Sequence, residues 1–242
     1  ATQAATRALE VRASGATAFT PAKAATKVGL LELEGPLHEE PSPLAWLLGP
    51  AGHVTLGDAI AAVDKVAEDA NYAGLVIRLK DAELSRTHTE ELGAAILKAR
   101  KAGKKVHVFG EAFGTPEFLL ASYADEVLVQ PGSPVMMTGM HAEEMYLADT
   151  LAWVGLKADF VQIGDYKGAS EAMMNARPSP QWEQNISGLL DALYATSRER
   201  LKTGRKLTDV KLDEAMKACF DADAAAAKNA GLIDTDIDRL DL

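Results

Sequence analysis

Between residues 28 and 129, short apolar runs alternate with segments of helical period, and this alternation restricts the chain to an α/β fold with parallel strands. The run Val28-Gly-Leu-Leu-Glu-Leu33 meets the breaker pair Gly35-Pro36 and reads as a buried strand that stops there. Leu56, Ile60, Val63 and Val66 then recur at helical spacing, which predicts a helix from a cap at Thr55 to about residue 71, followed by a strand over 74–79. The pattern repeats as a helix over 89–102 closed by Gly103, a strand over 105–109, a short helix over 117–124 and a strand over 126–129. Strands joined through helices pair in parallel.

A helix over 142–154, a strand over 158–163 and a helical stretch after Pro180 complete the expected order. Residues 1–25 are rich in Ala and Thr without a sustained period, so they are predicted to be a mobile lead-in to a single domain over 26–242. Residues 36–54 hold many prolines and glycines around Trp46 and read as a long loop. Its apolar run, Leu44-Ala-Trp-Leu-Leu48, is bracketed by Pro43 and Pro50 and falls far short of the roughly 20 residues of a membrane span.

Charge and cysteine content exclude several classes of function. The formal net charge of −10 gives no general attraction to nucleic acid or to anionic lipid. A single cysteine, Cys219, leaves no internal disulfide and no Cys-x-x-Cys metal or redox motif. The sequence starts at Ala1 without a basic and apolar leader, as expected of a processed or trimmed product.

Three stretches carry a joint resemblance: Ala73-Gly-Leu-Val-Ile-Arg-Leu-Lys80, Phe118-Leu-Leu-Ala-Ser-Tyr-Ala-Asp-Glu-Val127 and Gly164-Asp-Tyr-Lys-Gly-Ala-Ser-Glu171. In order and spacing they resemble landmarks of the signal peptide peptidase A family, and the tail Ala227-Lys-Asn-Ala-Gly-Leu-Ile-Asp234 resembles that family's usual ending. The resemblance implies a Clp/crotonase-like superhelix of strand-strand-helix turns with a helical C-terminal part. It also implies a Ser-Lys dyad split between two repeats, with the lysine in the N-terminal repeat and the serine in the C-terminal one. Lys167 stands at the lysine position. A lysine is a general base only when neutral, which requires burial to bring its pKa from about 10.4 towards roughly 7–8. Further implications are a partner that brings a serine-bearing second repeat, peptide substrates, a homo-oligomer and a periplasmic or extracytoplasmic membrane-associated location. No cofactor and no metal are expected.

The chain departs from the family pattern where a nucleophile belongs. Single-repeat members carry the serine in an Ala-Ser-Gly-Gly segment; here the sequence is Gly114-Thr-Pro-Glu117, with Thr115 in the serine's place and Pro116 lacking an N–H. The family's oxyanion glycines follow the strand over 74–79, but Lys80-Asp-Ala-Glu-Leu-Ser85 has no glycine pair. Ser122 lies in an apolar helix and Ser170 in the lysine's own turn, so packing and capping explain both. His38, His107 and His141 read as structural or exposed. The expectation is the lysine-bearing half of a serine endopeptidase, inactive alone. The alternative is a non-catalytic scaffold or oligomerisation module derived from it; an acyl-CoA crotonase reading fails on the same missing oxyanion donors.

Overall fold

The computed structural model describes residues 27–40, 54–164 and 166–242. The expected lead-in over 1–25 and the apolar run over 44–48 lie outside the described residues. The chain divides into two compact units: the described part of residues 1–138 with Arg200–Leu242, and Gly139–Glu199.

The first unit is built on a parallel five-stranded sheet. Its strands are β1 (Lys27–Pro36), β2 (Tyr72–Glu83), β3 (Lys105–Gly110), β4 (Glu126–Val129) and β7 (Thr235–Asp236), in the order β1-β2-β3-β4-β7. The helices α1 (Leu56–Glu68), α2 (Arg86–Lys101) and α3 (Thr115–Ala121) make the crossovers. This is the α/β architecture that the resemblance implied. Thr55 caps α1 reciprocally with Asp58, and Ser85 caps α2 with His88, so α2 starts three residues before the expected position.

Strand alternation explains the core. Leu31, Ile77, Val108 and Val127 occupy one register row across four strands, and all are buried with Val63, Leu92 and Ile96 of the helices. The residues between them face the other side of the sheet, where buried Phe109 and Leu128 stand beside charged residues. There Arg78 bridges Glu32 at 2.8 Å and Glu111 at 2.7 Å, and Lys80 meets Glu34 at 2.8 Å. The strand β2 runs four residues beyond its expected end, through Lys80 and Asp81. Pro116 sits in the first turn of α3, which begins two residues earlier than expected because proline suits that position.

The second unit holds α4 (Ala148–Trp153), a 3₁₀ turn (Gly168–Ser170), α5 (Glu171–Met174) and most of α6 (Pro180–Arg205), which continues into the first unit. The helix expected over 142–154 is reduced to α4. The strand expected over 158–163 does not form: the segment is irregular, with Val161 100% and Ile163 84% exposed. Its sequence favours a strand, but a strand needs a neighbouring ladder, and the described residues provide none there.

The C-terminal part is helical in α7 (Asp209–Ala218) and α8 (Ala224–Asn229), with two short strands that the sequence reading missed. β6 (Ala222–Asp223) pairs antiparallel with β5 (Pro134–Val135), and β7 adds to the edge of β4. Asp234 locks this edge: its carboxylate accepts the Val127 N–H at 2.8 Å and pairs with the buried Arg205 guanidinium at 2.8 Å. Burial pushes the Asp234 carboxyl pKa up, but Arg205 and the Val127 N–H outweigh it, so the group titrates below 3.8. Asp125 is likewise held low, with burial opposed by the Val106 N–H and Arg100. A carboxyl with a depressed folded-state pKa contributes stability above its unfolded value, lost as pH falls through the folded one. Thermal unfolding should therefore show stability falling below about pH 4. Asp234→Asn should cost on the order of 1–2 kcal/mol at neutral pH, because it leaves Arg205 buried without its counter-ion, and should flatten the acid slope. An unchanged melting curve for Asp234→Asn at pH 7 would contradict this account of the edge.

Candidate active site

Lys167 is exposed and stands just before the 3₁₀ turn, where its N–H donates to the Gly164 carbonyl at 3.3 Å. Two glycines fix the turn for different reasons. Gly164 has φ +101°, in the region that side-chain-bearing residues avoid. Gly168 is buried against the Trp182 indole, where a Cβ would lie 2.3 Å from a ring carbon.

Trp182 is in turn held in place by its neighbours. Its Nε1 donates to Glu144 Oε2, which also accepts the Tyr146 hydroxyl at 2.6 Å. Burial, reinforced by that bond to Glu144, pushes the Tyr146 hydroxyl up to about 12, so it remains a donor. Glu171 is buried and accepts both the N–H and the hydroxyl of Ser179 at 2.6 Å each. Those donors outweigh the desolvation that would raise the Glu171 carboxyl, so it titrates below its ordinary value. Sequence reasoning missed Trp182, Glu144 and Glu171. Glu171 ends the Gly164–Glu171 landmark without its role being legible there, and for Trp182 the sequence signal was Ser179-Pro180, which marks the start of α6.

Tyr166, the residue before the lysine, is exposed and donates its hydroxyl to Gln184 at 3.1 Å. Ser170 donates to Gln162 at 2.8 Å and gives α5 no side-chain cap. The Lys167 neighbourhood is apolar and exposed: Phe160, Val161, Ile163 and Tyr166 all precede the lysine within seven residues.

The first unit contains the turn where the family serine would sit. The buried rings of Phe113 and Phe118, 5.0 Å apart, flank it, and Glu117 accepts the Gly114 N–H at 2.8 Å. The Thr115 hydroxyl donates to the Thr138 carbonyl at 3.1 Å and is thereby engaged with backbone. Near the ends of β2 and β3 lies a cleft of about 140 Å³ lined by Lys80, Asp81, Glu111 and Glu117 among others. Asp81 has φ +50°, uncommon for a residue with a side chain. A rim rich in carboxylates repels the negative charge that an oxyanion hole has to stabilise.

The remaining serine and histidine candidates have structural partners or exposed positions. Ser122 is buried, donates to the Leu119 carbonyl at 2.6 Å and accepts from Arg200 at 3.0 Å. His107 lies 3.2 Å from Glu126, while His38 and His141 are exposed.

Comparison with known proteins bears on the same residues. The pattern of Peptidase family S49 matches residues 98–239, a stretch that includes the Lys167 turn. Protease 4 of Haemophilus influenzae is 25% identical over 193 residues, which cover 76% of this chain and 31% of that protein. Protease 4 of Salmonella typhi is 23% identical over 205 residues, covering 79% and 33%. A third relative, the chloroplastic serine protease SPPA of Arabidopsis thaliana, is 25% identical over 149 residues, covering 61% and 22%. The chain thus spans a third or less of the length of these relatives. With more than half of its residues inside the family pattern and a Clp/crotonase-like α/β fold, the chain belongs to Peptidase family S49.

Proposed function

We propose that this chain is the lysine-bearing part of a Ser-Lys endopeptidase that degrades signal peptides or other membrane-released peptides, the serine coming from a second region of the same protein or from another chain. The observation that carries the reading is the setting of Lys167. Two glycines and a packed indole hold its turn in one conformation, yet the side chain is exposed beside uncovered apolar residues. A partner seated on that surface would exclude water from the amine and favour its neutral form.

The neutral amine would take the serine proton as the serine oxygen bonds to the scissile carbonyl carbon. The ammonium so formed would return the proton to the leaving amine, and water would then release the acyl group by the same relay. The reading includes a homo-oligomer at the periplasmic or extracytoplasmic face of a membrane. Among the described residues no helix is long and apolar enough to cross one.

A second reading, a non-catalytic scaffold derived from the protease, draws support from the first unit, where Thr115 is bonded to backbone and the cleft is acidic. The two readings differ on one substitution. In the protease assembled with its serine-bearing region, Lys167→Ala and Lys167→Arg should both abolish turnover of an apolar reporter peptide, since a guanidinium cannot give up its proton. Retained turnover in either variant would favour the scaffold. The 242-residue chain alone should show no turnover. Gly168→Ala should lower the assembled activity about tenfold or more, because the added methyl forces the lysine turn off Trp182, while the melting temperature of the first unit stays within a few degrees of wild type.

A further inference from the structure

We infer that the cavity walled by Trp182 in the second unit is a subsite for a basic side chain, lysine or arginine, of a bound peptide. The choice of a peptide as ligand rests on the peptidase reading; the choice of a basic side chain rests on the cavity itself. The cavity measures about 600 Å³. Trp182, Ile186 and Leu190 line it at four-residue spacing, so they form one apolar stripe along α6, and all three are half-buried. Glu143, Glu144 and Glu183 line the same space with one cationic residue, Arg177.

Each part has a distinct use. Glu144 is committed to Trp182 and Tyr146 and sets the indole's orientation. Glu143 and Glu183 carry no ion pair among the described residues and are available to a ligand. A lysine or arginine side chain matches this arrangement because its methylene stem covers apolar surface while its charged head stays near carboxylates. The indole adds attraction for a cation near its face. An acidic side chain would add to three carboxylates that share the lining with one cation, and a purely apolar one would leave their excess negative charge unbalanced. The same indole packs on Gly168, next to Lys167, so the proposed subsite and the lysine turn share one wall.

The test is binding without turnover. Labelled extended peptides that differ only in a central lysine, norleucine or glutamate are titrated with the full 242-residue chain at low salt, with fluorescence anisotropy as the readout. The lysine peptide should bind about tenfold more tightly than the norleucine peptide, and the glutamate peptide most weakly. The double substitution Glu143→Gln with Glu183→Gln, at two exposed positions, should bring the lysine and norleucine peptides to within about twofold of each other. Equal binding of lysine and norleucine peptides by the native chain, a lysine preference that survives the double substitution, or no binding of any peptide would overturn the inference. Because cleavage is not read, failure here leaves the assignment of Lys167 as general base to its own test.

Discussion

Trp182 lies across Gly168 so closely that a methyl group at 168 would approach the indole to 2.3 Å, and the geometry of the lysine turn depends on that contact. An exposed lysine in a glycine-rich loop ordinarily samples many directions. Here the indole closes one side of the turn, Glu144 and Tyr146 orient the indole, and Glu171 ties the start of α6 to the segment that follows the lysine. Each acceptor in this chain is a carboxylate receiving strong donors, which makes the support charge-assisted rather than merely steric. On the proposed function, a pre-set turn of this kind suits a base whose partner arrives from outside.

The first unit is the converse case. It keeps the parallel sheet and the crossover helices, with their buried rows, while the positions that would supply a nucleophile and an oxyanion hole hold other chemistry. Thr115 donates to a carbonyl, Pro116 has no N–H to give, and the strand β2 continues through Lys80 and Asp81 where a glycine turn would be needed. Family membership is therefore carried by the fold and by the match over residues 98–239, in a chain that spans a third or less of its relatives' length.

Much of this was legible in the sequence, for identifiable reasons. The strands β1 to β4 and the helix α1 announced themselves because apolar periodicity extends over many residues and Thr55 is a strong cap. Short elements escaped: β7 is two residues long and exists because Asp234 and Arg205 fasten it to β4, a contact between distant parts of the chain. The segment over 158–163 was misread as a strand because propensity reports what a residue favours and not whether a ladder is available. Lys167 was singled out from the motif alone, but the indole and the carboxylates around it come from positions up to 23 residues before and 15 after it, with no periodic signal to connect them.

The central claim is that Lys167 meets a serine supplied from outside this chain, and proximity tests it most directly. A cysteine at 167 and another in place of the reactive serine of the serine-bearing region should be joined by a short bifunctional thiol reagent, since a lysine amine within about 2.6–3.2 Å of a serine oxygen sets the two Cα atoms farther apart than the roughly 4.4–6.8 Å of a disulfide but within reach of a short spacer. The native Cys219 is buried and does not compete. A near-complete cross-link in the assembled protease, dependent on both introduced cysteines, is the predicted result. Absence of the cross-link, in an assembly whose wild-type counterpart cleaves peptide, would contradict the account.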